Sequence, residues 1–237
     1  MFHGKMKALT FSYDDGVTQD VRFIEILNRY GLKATFNLNS ECLGKERTLS
    51  QEGASFSHNK VHAKDVRHIY EGHEIASHTL THPRLPAIDD DREIIRQVEE
   101  DRLRLSELAG YEVVGFAYPC GGVNCDARCA ELIRTQTGIR YARTIISSES
   151  FAPQDDLFLF NPTAHHHKNI PHLLELWEQF LKTDPSKPQI FYIWGHSYEF
   201  DIRDDWGQFE EFCQAVAGHP DVFYGTNREI LLSQTKD

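Results

Sequence analysis

Strand-like and helix-like stretches alternate about seven times along the chain, joined by short links, and that alternation restricts the fold to a parallel α/β arrangement. Residues 8–13 form a run rich in β-branched and aromatic side chains that stops at Asp14-Asp15-Gly16 and reads as the first strand. Thr18 stands where it would cap a helix to about Tyr30, with Val21, Ile24 and Leu27 at helical spacing and Gly31 as the stop. Residues 33–39 follow as the next strand, and a strand–helix–strand on short links is a parallel unit. Residues 42–60 are polar and aperiodic and read as a long loop near the site. The same reading gives helices over 62–70, 90–109, 126–137, 169–182, 206–217 and 227–232. Between them it gives strands over 73–77, 113–118, 140–145, 189–194 and 222–224. The 189–194 run is almost wholly apolar, as expected of a strand covered on both faces. No repeat, low-complexity tract or linker divides the chain, so residues 1–237 are expected to form a single domain, a barrel of parallel strands ringed by helices.

The chemistry collects where these strands end. Neighbouring residues on extended chain point to opposite sides, so Asp14 and Asp15 can take different partners. Two carboxylates held close repel unless a cation relieves them. His78 and His82 lie four residues apart, a spacing that one helical turn would bring to one side. Asp15, His78 and His82 would leave coordination positions open for water and substrate, the mark of a catalytic metal site. Zinc is the default divalent ion for two imidazoles and a carboxylate, and cobalt, nickel, iron and manganese accept the same donors. Taken singly, Asp-Asp-Gly reads as a turn and Thr-His-Pro as a loop. Their joint occurrence, with the candidates at 14, 15, 78, 121 and 196 all at strand C-terminal ends, favours a site.

Four stretches then carry a resemblance: Tyr13-Asp14-Asp15-Gly16, residues 78–83, Ala117-Tyr118-Pro119-Cys120-Gly121, and Trp194-Gly195-His196. In this order the chain resembles the polysaccharide deacetylases, carbohydrate esterase family 4. The resemblance implies an irregular, incompletely closed (β/α) barrel. It implies Asp15, His78 and His82 as the ligands of one divalent metal, Asp14 off the metal as general base, and a metal-bound water as nucleophile. It also implies the backbone amide of Cys120 as an oxyanion donor. His196 reads as the general acid that protonates the leaving amine. Glu199 and Asp201 are both near enough in sequence to orient it, and Asp201 is the preferred choice. The chain departs from the family pattern at Ala117, where an arginine usually pairs with the base aspartate. Asp14 then needs another cation, and Arg143 or Arg140 is the candidate. Tyr198 and Trp206 are candidates for a sugar-stacking wall, with Trp194 assigned to the core. His165-His166-His167 reads as a solvated polar run with no metal role.

The totals set the outer bounds. A net charge of -11 argues against a nucleic-acid partner. It also disfavours a strongly anionic polymer as substrate, unless a local basic patch overrides the total. No apolar run reaches the length of a membrane span, and no signal segment opens the sequence, so a cytoplasmic location is the default expectation. A secreted or cell-surface location is the alternative if a leader precedes this sequence. Five cysteines without a pairing framework read as free thiols. The expected function is metal-dependent removal of N-acetyl, or O-acetyl, groups from a carbohydrate, the substrate being an N-acetylated sugar or oligosaccharide. The rivals are hydrolysis of a small cyclic amide or ureide, and a non-catalytic carbohydrate-binding relative.

Overall fold

Strand β1 (Lys7–Asp14) is buried along its whole length and has neighbours on both edges. The structure, a computed structural model, describes residues 1–51, 54–166 and 170–234. On one edge β9 (Gln189–Gly195) runs parallel to β1 from Lys7↔Gln189 to Tyr13↔Gly195. On the other edge β2 (Ala34–Leu38) pairs with the C-terminal half of β1, and β10 (Val222–Tyr224) with its first three residues. From β2 the sheet continues through β5 (Glu74–Ser77) and β6 (Gly115–Ala117) to β7 (Tyr141–Arg143). Beyond β9 it ends at β8 (Ala164–His165). Every pairing in this sheet is parallel, and the seven strands of the main path curl into an open half-barrel.

The curl follows from which residues meet. Leu9, Phe11 and Tyr13 of β1 join one apolar cluster with residues of helices α1 (Asp20–Arg29), α5 (Ile170–Leu181) and α7 (Trp206–Val216). The alternate residue Ala8 packs instead with Tyr141, Phe160, Ile190 and Tyr192, from strands on both sides of the sheet and from the chain linking β7 to β8. The two-residue period of a strand therefore gives β1 a helix-facing side and a barrel-facing side, and Asp14 belongs to the second. That interior is polar: Thr10 bonds to Asn227, Asn37 to Ser12, and Glu74 to both Thr35 and Tyr141. Among the described residues the edge strands β7 and β8 do not pair with each other. The seam holds an isolated parallel bridge, Arg143↔Phe160, with Thr144 N donating to Phe160 O (2.9 Å) and Phe160 N to Ala142 O (3.1 Å). This is the incomplete closure that the family resemblance implies.

The longest helix, α3 (Asp91–Ala109), begins at the Asp90 side chain, which accepts from Arg92 N, and ends at Gly110 in the left-handed region (φ 78°). Helix α4 (Ala127–Gln136) is capped by Asp126 in the same way. Three expectations change. Helix α1 starts at Asp20 with no side-chain cap; Thr18 instead donates its backbone N–H to Asn59 O (2.8 Å). The predicted 62–70 helix is a 3₁₀ turn at Ala63–Asp65 followed by the single turn α2 (Val66–Ile69). The predicted 42–60 loop contains an antiparallel pair, β3 (Thr48–Gln51) and β4 (Ala54–Ser57), with Leu49 opposite Phe56. Phe56 is buried because its ring stacks on Tyr198, a contact that local sequence does not announce. Near the C-terminus, α6 (Glu199–Arg203) and α8 (Asn227–Leu231) complete the described helices. Among the described residues no helix is long and apolar enough to cross a membrane.

Candidate active site

Asp14 is the last residue of β1, and Asp15 turns the chain away with φ 84°, so the two carboxylates diverge. Asp14 faces Arg143 across the barrel: one guanidinium nitrogen, Nη2, lies 2.6 Å from Oδ1 and 2.5 Å from Oδ2. Arg143 is fully buried, and its guanidinium lies 4.6 Å from the Trp194 ring centre. Asn37 Nδ2 adds a second donor to Asp14 Oδ1 (2.7 Å). Burial alone would push the Asp14 carboxyl up, but Arg143, His78 and His196 hold it below the usual carboxylate range. Of the two arginines named as substitutes for the one missing at Ala117, Arg143 is the one in contact.

Asp15 has its own partners. Lys60 Nζ donates to its carbonyl (2.7 Å) and lies 3.2 Å from Oδ1, while His58 Nε2 is 3.2 Å from Oδ2. Burial opposes its charge; Lys60 and the His58 hydrogen bond outweigh burial and keep the carboxyl well below its ordinary range. Asp15, His78 and His82 offer ligand atoms that all lie within 4.8 Å of one another. His78 Nδ1 sits 2.8 Å from the Ala117 carbonyl, which only accepts, so Nδ1 carries the hydrogen and Nε2 presents a lone pair. Burial lowers the His78 imidazolium to about 4, so the ring is neutral at pH 7, as a ligand must be. This donor set fits a divalent metal.

The two histidines reach one another by a route other than the predicted helical turn. Residues 78–83 form a loop in which Thr79 and His82 both take positive φ (69° and 64°). His82 N donates to Thr79 Oγ1 (3.0 Å), Leu80 N to Gln97 O (2.9 Å), and Asn39 Nδ2 to the carbonyls of His78 and Thr79. These braces hold a strained loop and leave the rings 4.9 Å apart, edge to face.

His196 follows β9 and joins Asp14, Asp15, His78, His82, Cys120 and Tyr198 in the wall of a cleft of about 260 Å³. Glu199 faces it, with Oε1 3.4 Å from His196 Nδ1 and Oε2 accepting from the His196 backbone N–H (3.2 Å). Asp201 does not orient His196. Its carboxylate accepts from Trp206 Nε1 and Gln19 Nε2, both at 2.8 Å, because α6 begins at Glu199 and turns Asp201 away. Burial would lower the His196 imidazolium, yet the charge and hydrogen bond of Glu199, with Asp15 and Asp14, raise it to about 9. A group that must donate a proton works below its pKa and fails above it. Glu199→Gln is therefore expected to move the alkaline limb of the kcat/KM profile toward neutral pH. An unmoved limb would leave Glu199 a packing role only.

Cys120 adopts φ 71° in the turn after β6, and among the described residues its N–H has no acceptor. Tyr198 lines the cleft as expected, while the two tryptophans exchange places. Trp194 lines it, whereas Trp206 is 4 % exposed against Phe200, with Arg22 over its ring. Trp206 is thus core and not a sugar wall. The predicted solvated histidine run is also corrected. His166 is buried, 3.0 Å from Tyr13 OH and 3.2 Å from Glu199, and His165 lies 3.5 Å from the same glutamate. His167 lies outside the described residues. A Cβ built on Gly195 would collide with the His166 ring. Sequence reasoning missed His58 and Lys60; the only signal was their place in a polar stretch assigned to the neighbourhood of the site.

The sequence profile of the polysaccharide deacetylase family matches residues 3–142. No curated protein matches the chain. Among solved structures, the chain is similar to a polysaccharide deacetylase described from Mycobacterium smegmatis. That match has a TM-score of 0.66 at 18% identity and covers 97% of this chain and 90% of the other. It is also similar to a family 4 carbohydrate esterase from Streptomyces lividans in complex with acetate (TM-score 0.54, 13% identity, 94% and 92% covered). A third similarity is to a family 4 pseudoenzyme from Bacillus anthracis (TM-score 0.54, 16% identity, 95% and 66% covered). At these identities the structural likenesses establish the fold alone.

Proposed function

This chain belongs to the polysaccharide deacetylase family, and from that premise we propose that it removes N-acetyl groups from a carbohydrate by metal-dependent hydrolysis. The observation that carries the proposal is the division of labour between adjacent acids. Asp15 shares a ligand set with His78 and His82, while Asp14 is turned to Arg143 with its Oδ2 4.0 Å from His78 Nε2. Asp15, His78 and His82 would hold the ion, zinc being the first choice. When bound, it would polarise the acyl oxygen and increase the acidity of a neighbouring water.

The remaining chemistry falls to the protein's own groups. Asp14, kept ionised by Arg143, takes the proton from the attacking water, and Arg143 acts in place of the arginine absent at Ala117. The Cys120 N–H stands ready for the developing oxyanion. His196, kept protonated by Glu199, gives its proton to the nitrogen as the C–N bond breaks. Trp194 and Tyr198 offer aromatic faces on which a sugar ring can stack.

The test is acetate release from N-acetylglucosamine oligomers by zinc-loaded protein, run beside small cyclic amides. Acetate from the oligomers with the cyclic amides intact is the expected result. Ring opening without acetate release would move the assignment to cyclic-amide hydrolysis. No turnover of either, with the ion bound, would make the chain a binding relative.

A further inference from the structure

The cleft at the metal set does not end there. Asp15, His82 and Tyr198 also line a second depression of about 470 Å³, together with Lys45, Arg47 and Lys60. These three cations come from the stretch around the β3–β4 pair. In a chain with 36 acidic residues against 25 lysines and arginines, three cations facing a single acid is a local reversal of charge. The acid, Asp15, belongs to the metal set and is already engaged by Lys60.

Lys45 and Arg47 are exposed, and among the described residues neither side chain has an acid within ion-pairing distance. Glu41 is taken up by Arg104 at 2.7 Å, and Glu46, between the two cations in sequence, is exposed and does not line the depression. Cationic side chains that protrude over a cleft without partners lose no intramolecular pair when an anion arrives. Arg47 offers the planar fork suited to a carboxylate, and Lys45 a mobile point charge beside it.

We propose that this depression is a subsite for an anionic, carboxylate-bearing sugar unit adjoining the N-acetylated one, so that the preferred substrate is an acidic glycan. The local patch overrides the overall charge that would otherwise repel such a polymer. The inference rests on the deacetylase reading for its orientation, because the acyl group must lie at the metal set while the neighbouring residue lies over Lys45 and Arg47.

Two probes with one skeleton separate the two ideas: a hyaluronan tetrasaccharide, alternating N-acetylglucosamine and glucuronate, and its carboxyl-reduced form. Calorimetric titration of the zinc-loaded protein is expected to show the acidic probe binding at least about tenfold more tightly, the scale of one charge-assisted contact. Lys45→Glu with Arg47→Glu should bring the ratio to about one or below, and added salt should erode the preference in the parent protein only. Both side chains are exposed, so the double variant should keep its melting temperature. Equal affinity for the two probes, or a ratio the double variant leaves unchanged, would overturn the proposal. Acetate release is read separately on the carboxyl-reduced probe. Release with a flat binding ratio removes the anionic subsite and leaves the deacetylase reading; a preserved ratio without release from either probe does the reverse.

Discussion

Asp14→Asn is expected to lower kcat by about 10²–10⁴-fold with little change in KM, the range that a positioned general base contributes. Asparagine keeps the size of the side chain and an oxygen for Arg143, so the cleft should keep its shape. What disappears is the ability to take a proton. Stability should fall as well, since Arg143 is fully buried and loses its counter-charge. Breaking such a pair costs about 3–5 kcal/mol, less whatever the amide oxygen recovers. The rate should therefore be measured well below the variant's own melting temperature. A kcat within a few fold of the parent would remove Asp14 from the reaction.

His78→Ala is the second large effect, and it is read first as metal content. The parent should retain about one divalent ion per chain after dialysis, and the variant should lose it. Activity should fall on the order of 10³-fold or more, because the ion supplies several kcal/mol of charge stabilisation. Chelation of the parent should have the same consequence and be reversed by zinc, whereas the variant should not recover. His78 is the sharper choice because it is buried and its ring is aimed by the Ala117 carbonyl, while His82 is about one-third exposed. Removing the ring also strands that carbonyl, at a further cost of about 1–3 kcal/mol. Full metal retention in His78→Ala would break the assignment of the ligand set.

Much of the scaffold could be read from the chain because its signals are local. The β-branched and aromatic run of β1, the apolar face of α3 and the apolar strand β9 sit within a residue or two of their expected bounds. Asp15 and His78 were also visible, since each follows a strand end, with His82 four residues beyond His78 in the loop. What was not legible depends on distance or on exceptional backbone. The pairing of Arg143 with Asp14 exists only because β7 curls round to face β1, and no local pattern distinguishes it from Arg140. The His78–His82 loop defeated the helical reading because Thr79 and His82 take backbone angles that those residue types seldom adopt. Glu199 was passed over for Asp201, a choice that turns on where a five-residue helix begins. Trp206 was misassigned although its spacing with Phe209 and Phe212 marks the buried face of α7, as those residues' burial bears out.

Gly195 and His166 occupy what amounts to one volume, and this couples two distant stretches of the sequence. Glycine is required at 195 by crowding alone, since its backbone is not in the left-handed region. Any descendant that acquires a side chain there must shrink residue 166 in the same step. That loss would release Tyr13 and withdraw one of the imidazoles gathered on Glu199. The pair is thus expected to drift together or not at all, so His166 binds the history of the Trp-Gly-His turn although it does not line the cleft.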